Sequence, residues 1–295
     1  MKVLVTGSSG MLASDIIPVL IENGHTVIKT DINQRSTDTV KLDISNLQDV
    51  SAGIKKIKPD MVFHLAAETD VDLCEKKPEH AFRVNTLGTE NIAFTCLEND
   101  IKLLYISTAG VFGGDKCEAY TEFDIPKPVN VYGESKLQGE KIVQNLLSKY
   151  FIVRAGWMVG GWEIDKKFVY KIVLQLKQGA KELKVVNDKF GSPTFTKDFA
   201  ANLLPLLDTN RYGLYHMANK GTCSRYDIAI KIVEFMGLKN QVRVLPISSA
   251  EFPLPAARAR SEMVRNYKLD LLGLNNMPPW EASLEQYIKE NANKA

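Results

Sequence analysis

Short apolar runs alternate with apolar residues at helical spacing through the first half of the chain. The runs predict strands at 2–5, 26–30, 40–42, 61–66, 101–107 and 151–154. Helical spacing between them predicts helices at 11–22, 47–57, 78–98 and 130–148. Asn23-Gly24 stops the first helix, and Pro59-Asp60 resets the chain after the second. Strands alternating with helices mean a parallel sheet with right-handed crossovers. Helices then cover both faces, which is why the strands are apolar throughout instead of alternating. The fold class expected is α/β, a doubly wound parallel sheet.

After residue 155 the pattern loosens. Gly160-Gly161 and Gly191-Ser192-Pro193 signal loops, and prolines cluster at positions 246, 253, 255, 278 and 279. Helices are predicted at 167–178, 197–207, 225–236 and 280–289. The expected organisation is a sheet domain over 1–155 and a smaller substrate lobe over 156–295. Some segments of the lobe return to the sheet domain. The last few residues are expected to fray.

A chain of 295 residues, 45% hydrophobic and 24% charged, is long enough for a large core. The net charge of +2 provides no global basic field, so nucleic acid is not an expected partner. An anionic substrate would have to be met by local arginines and helix ends. No apolar run approaches the roughly 20 residues that cross a bilayer, and no leader-like pattern precedes the first strand. Cys74, Cys96, Cys117 and Cys223 are scattered, with no Cys-x-x-Cys pair. That spacing indicates neither a zinc site nor a disulfide framework, so no metal is expected and a cytoplasmic location is.

The first strand runs into Gly7-Ser-Ser-Gly10-Met-Leu-Ala13, which opens the first helix. Gly7 permits a sharp turn, Gly10 lets the backbone approach a pyrophosphate, and Ala13 lets the helix pack near the strand. The helix N-terminus offers N–H groups and partial positive charge to the phosphates. Asp31 ends the second strand about twenty residues on, where an acidic residue binds the ribose 2′-hydroxyl. A carboxylate there repels a 2′-phosphate, so NAD is the expected cofactor, NADH being preferred. Arg35 softens that preference toward NADP. Asp43, after the third strand, is a candidate for the adenine end or a simple cap.

Tyr132 and Lys136 stand at i and i+4 on one helix face, the sole Tyr-x-x-x-Lys match among ten tyrosines. A free phenol has a pKa of about 10. A nearby ammonium favours the phenolate, and a phenol so placed can donate its proton to a carbonyl oxygen as hydride reaches the carbon. Ser107 and Thr108 end the fifth strand, at the edge where open α/β sheets bind ligands. Thr108 is the first choice to polarise a substrate carbonyl. Either hydroxyl would otherwise bond to the local backbone.

With these residues the chain resembles the extended short-chain dehydrogenase/reductases, which share the Thr-Gly-x-x-Gly turn and the Tyr-x-x-x-Lys pair on a Rossmann-like fold. Within that group it is similar to the dTDP-4-dehydrorhamnose reductase family. The similar segments are residues 6–12, 85–91, 131–140, 154–157, 188–194 through Asp198, and 213–216. The resemblance implies hydride transfer to C4 of a 4-keto-6-deoxy sugar carried on a nucleoside diphosphate. It implies Thr108, Tyr132 and Lys136 as the catalytic trio. Further cofactor contacts are implied at Ser9, Met11, Leu12, Ile44, Leu65, Ala66 and Ala67. It places Thr69 and Trp157 against the substrate and suggests a homodimer. Arg258, Arg260 and Arg265 are candidate diphosphate ligands, because arginine forks match phosphate oxygens.

The chain departs from the family at Ala109-Gly110, where Asp-Tyr usually follows the Ser-Thr pair and lines the sugar site. It also lacks the Asp-Glu pair that sugar 4,6-dehydratases place there. Two other readings keep the dinucleotide site: a nucleotide-sugar epimerase holding NAD tightly, and a non-catalytic regulatory subunit like a known partner of methionine adenosyltransferase.

Overall fold

The structure is a computed structural model that describes residues 1–164 and 167–292; the end of the chain, where fraying is expected, lies largely outside the described residues. Its first half supplies strands β1 (Lys2–Thr6), β2 (Thr26–Asp31), β3 (Thr39–Lys41), β4 (Met61–His64), β5 (Lys102–Thr108) and β6 (Tyr150–Ala155). The second half adds β7 (Trp157–Val159), β8 (Glu182–Val186), β9 (Phe190–Gly191) and β10 (Pro193–Phe195). It then adds β11 (Gly213–His216), β12 (Cys223–Ser224), β13 (Arg243–Ile247) and β14 (Ser261–Glu262). Helices α1 (Met11–Glu22), α2 (Leu47–Ile57), α3 (Val71–Lys76), α4 (Pro78–Phe82), α5 (Gly88–Glu98) and α6 (Val131–Leu146) lie between the early strands. The later ones are α7 (Phe168–Lys177), α8 (Thr196–Leu207), α9 (Arg225–Phe235), α10 (Tyr267–Leu271) and α11 (Trp280–Asn291).

The main sheet is parallel throughout, in the order β3-β2-β1-β4-β5-β6-β11. The fold is the Rossmann-like α/β arrangement that the alternation predicts. Residues alternate in their direction along a strand, so β1 feeds both faces. Val3 and Val5 pack with Ile16 and Leu20 of α1 and Phe199 and Leu203 of α8. Leu4 faces the other way, with Ile54 of α2, Ile92 of α5 and Val143 of α6. All three β1 residues are fully buried, each contributing about 1.5–3 kcal/mol. The outer strand β11 and the covering helix α8 both come from the second half, so those segments return to the sheet.

The rest of the second half has a core of its own, built from α7, α9, α11 and the parallel pair β8-β13. Two small sheets, β7-β10 and β12-β9-β14, join it to the carboxyl edge of the main sheet. None of these short pairings was legible as strand in the sequence pattern.

Two expected elements differ. The fourth strand ends at His64, leaving Leu65, Ala66 and Ala67 as loop at the sheet edge. The single helix expected over 78–98 starts as α4 and passes through a π-helical turn at Arg83–Leu87 before α5. Asn85 sits in that turn. Its amide nitrogen donates to Glu68 O and Ser135 Oγ, both at 3.0 Å, and its oxygen accepts from Glu68 N at 2.8 Å. The wider turn places a buried side chain where it ties the loop after β4 to α6, a use common to π turns near functional sites.

Candidate active site

Strand order reverses between β1 and β4, and in open α/β sheets ligands bind in the crevice at that point. Gly7 and Ala66 face each other across it. Gly7 has φ +67°, and a Cβ there would lie 2.8 Å from the Ala66 backbone. No other residue fits that turn. Gly10 caps α1 without any side-chain hydrogen bond, so the first N–H groups of α1 face the crevice free of a side-chain cap. Ser8 Oγ is buried with no hydrogen-bond partner in the structure. A cleft of about 340 Å³ opens beside this turn, lined by Ser8, Ser9, Gly10, Lys29, Arg35 and Ser36 among others. An orphaned hydroxyl, a helix N-terminus and two cations around one cleft fit the phosphates of a dinucleotide.

Asp31 stands at the expected position at the end of β2. Its Oδ2 accepts from Ser9 N at 3.0 Å and its Oδ1 from Asn33 N at 2.9 Å, so it also braces the glycine turn. Met11 is half-buried and Leu12 buried at the start of α1. Asp43 closes a local turn, with its Oδ1 accepting from Ser45 N at 2.9 Å and Ser45 Oγ at 2.7 Å. Ile44 packs under Gly88, at the start of α5. Leu65, Ala66 and Ala67 are half-buried along the crevice wall, and Thr69 is exposed in the loop that Asp70 joins to α3.

The Tyr132–Lys136 pair lies in the first turns of α6, which Asn130 caps through Gly133 N. Gly133 brings the helix onto the turn after β5: a Cβ there would lie 2.3 Å from Gly110 O. Thr108 Oγ1 accepts from Gly110 N at 3.0 Å, and the Thr108 hydroxyl lies near enough to the Tyr132 phenol to lower its pKa. Ser107 turns away into a buried network, donating to Glu140 Oε1 at 2.5 Å. Of the two hydroxyls, Thr108 is the one beside the phenol.

The phenol's acidity differs from expectation. Burial pushes Tyr132 up to about 12, the neighbouring Thr108 hydroxyl offsets part of that, and the Glu262 carboxylate adds to the rise. The ammonium effect expected from Lys136 does not decide it. Lys136 is buried, donates from Nζ to Ile106 O at 2.8 Å and lies 4.1 Å over the Tyr105 ring. Burial lowers it to about 7, against the pull of Glu140. Beneath it, Glu140 accepts from Arg154 Nε at 2.8 Å and Nη2 at 2.6 Å, a buried bidentate pair.

Trp157 stands just beyond β6. Its Nε1 donates to Glu262 Oε2 at 2.6 Å, the Arg225 guanidinium lies 3.8 Å from its ring centroid, and its ring leaves no room for a side chain at Gly191. Neither Glu262 nor Arg225 carried a local signal in the sequence. The three candidate arginines are not gathered into one cluster by their contacts. Arg258 pairs with Asp72 at 3.0 Å, Arg265 with Asp270 at 2.9 Å, and Arg260 is exposed. No His, Cys, Asp or Glu group suited to a metal ion occurs among the described residues.

The sequence pattern of the RmlD substrate binding domain matches residues 1–293. The chain belongs to that family. It is 34% identical over 268 residues to the dTDP-4-dehydrorhamnose reductase of Aggregatibacter actinomycetemcomitans, covering 87% of this chain and 88% of the relative. A dTDP-4-dehydrorhamnose reductase structure from Clostridium acetobutylicum superposes with a TM-score of 0.90 at 38% identity, covering 98% of this chain and 99% of the other. The corresponding enzyme from Bacillus anthracis, solved in complex with NADP, also gives 0.90, at 36% identity and the same coverage. A nicotinamide dinucleotide is therefore the cofactor class of this site. No described helix is long and apolar enough to cross a membrane.

Proposed function

We propose that this RmlD-family chain is an oxidoreductase that reduces the C4 ketone of a nucleotide-linked 4-keto-6-deoxy sugar, as its dTDP-4-dehydrorhamnose reductase relatives are named to do. The observation that carries this reading is Tyr132 beside Thr108, above a buried Lys136, at the carboxyl edge of a dinucleotide-type crevice. Bound in that crevice, the cofactor supplies the hydride. Gly7, Ser9, Gly10 and the start of α1 hold its phosphates, and Asp31 its adenosine ribose. Tyr132 donates its proton to the carbonyl oxygen. Thr108 hydrogen-bonds the same oxygen, and Lys136 holds the nicotinamide ribose and steadies the phenol.

Reduction calls for a protonated acid, and a phenol near 12 is fully protonated at neutral pH. Trp157 offers an aromatic surface to the C–H side of the hexose. Arg258 is the best placed of the three arginines for the diphosphate, since it anchors the 256–260 segment to the first turn of α3 through Asp72. Both NADH and NADPH serve in this reading: Asp31 favours NADH, while Arg35, which lines the adjoining cleft, would receive a 2′-phosphate. With its thiols free among the described residues, the protein is assigned to the cytoplasm.

The test is Tyr132→Phe assayed with dTDP-4-dehydrorhamnose and each coenzyme. The expected loss in kcat is about 10²–10⁴-fold, with coenzyme Kd nearly unchanged. Turnover close to wild type would refute the assignment. The wild-type ratio of kcat/KM for the two coenzymes reads the proposed dual use.

A further inference from the structure

We propose that Glu262 contacts the sugar directly, accepting a hydrogen bond from a hydroxyl next to the reacting carbonyl and so selecting hydroxylated keto-sugars. This rests on the reductase reading above and names the residue that reads the sugar.

Three observations place the carboxylate there. A Cβ built on Gly110 would lie 3.2 Å from Thr108 Oγ1 and 3.7 Å from Glu262 Oε1, so both side chains border one small space above Gly110. The charge on Glu262 is felt at the Tyr132 phenol, the group assigned to the carbonyl oxygen. Finally, Oε2 is held by the Trp157 indole at 2.6 Å, whereas Oε1 has no hydrogen-bond partner among the described residues. A half-buried carboxylate with one oxygen fixed and the other open toward Thr108 is an oriented acceptor.

The backbone around Glu262 is rigid in a way that suits this task. Glu262 pairs with Gly191 in the parallel β14-β9 ladder, and Gly191 is the residue against which Trp157 packs. Indole and carboxylate are therefore set by the same short sheet. A hexose lying on the indole presents its hydroxyl rim at the indole edge, and the N–H that holds Glu262 lies on that edge. The acceptor has no proton to give, so it favours a hydroxyl and disfavours a sugar carboxylate.

The experiment compares wild type, Glu262→Gln and Glu262→Ala on two ligands. These are dTDP-rhamnose and its 3-deoxy analogue, with binding followed by calorimetry in the presence of NADP. Hydrogen bonds to charged groups change affinity by about 10–100-fold. Wild type should favour the hydroxylated ligand by that factor. Glu262→Ala should lose the preference by weakening the hydroxylated ligand alone, and Glu262→Gln should keep part of it. Equal weakening of both ligands would show that Glu262 acts through Trp157 only, and no change in either would remove it from the site. Both results overturn the proposal. Because binding is read without turnover, failure of the reductase reading would appear separately, as wild type that binds but does not reduce the keto-sugar.

Discussion

At the scale of single residues, burial outweighs charge in the Tyr132–Lys136 pair. The spacing of Tyr132 and Lys136 on one face was legible from the sequence, and so was the choice of Thr108 over Ser107 as first candidate. Their acidities were not, because desolvation depends on what α6 lies against. The ammonium of Lys136 sits among Ile106 O, the Tyr105 ring and Glu140, and burial brings it to about 7. Coenzyme binding that uses this ammonium must restore its charge. The Lys136 pKa therefore rises on binding, and between pH 7 and 9 the complex takes up a fraction of a proton. Coenzyme affinity should fall as pH rises through that window, and calorimetry in two buffers of different ionisation enthalpy should detect the uptake. Lys136→Arg, charged at every pH in the window, should remove both effects. A pH-independent Kd in the wild-type protein would contradict this account.

Among elements, α6 carries both the proposed acid, Tyr132, and Lys136. Its position depends on close approach to the turn after β5, and that approach depends on Gly133. Gly133→Ala puts a methyl group against Gly110 O. Overpacking of this kind costs about 1–3 kcal/mol, and shifting Tyr132 by about 1 Å costs catalysis up to ~10²-fold. Thermal melting and kcat should both register the change, with kcat losing far more than coenzyme affinity. Unchanged kcat would mean that the helix can move without disturbing the phenol. The π turn at Arg83–Leu87 is the element that the sequence concealed. Its residues keep helical spacing, so periodicity alone reads them as part of one long helix. What widens the turn is the Asn85 amide reaching Glu68 and Ser135, contacts separated by 17 and 50 residues.

Across the whole molecule, the carboxyl edge of the sheet is tied together by the Glu140–Arg154 pair. It links α6 to β6, takes in Ser107 of β5, and reaches His216 of β11, whose burial holds it down to about 3 and hence neutral. Arg154→Met would leave the Glu140 carboxylate buried and unpaired. The expected cost is about 3–5 kcal/mol, read as a lower urea midpoint. Combining it with Glu140→Leu should recover much of that loss, since an apolar pair carries no desolvation penalty. A single variant as stable as wild type would show that water reaches the carboxylate.

The sequence by itself determined the α/β architecture, the glycine turn with Asp31, and the Tyr-Lys pair, because each depends on local period, backbone conformation or helical spacing. Those signals act over a few residues and survive without knowledge of what packs on them. The surroundings of Trp157 were decided by tertiary structure alone. Trp157, Gly191, Arg225 and Glu262 meet through pairings of two or three residues between distant segments, too short to leave a periodic trace. The same holds for the acidities, since the free energy of a buried charge is set by all the surfaces around it and not by its neighbours in the chain.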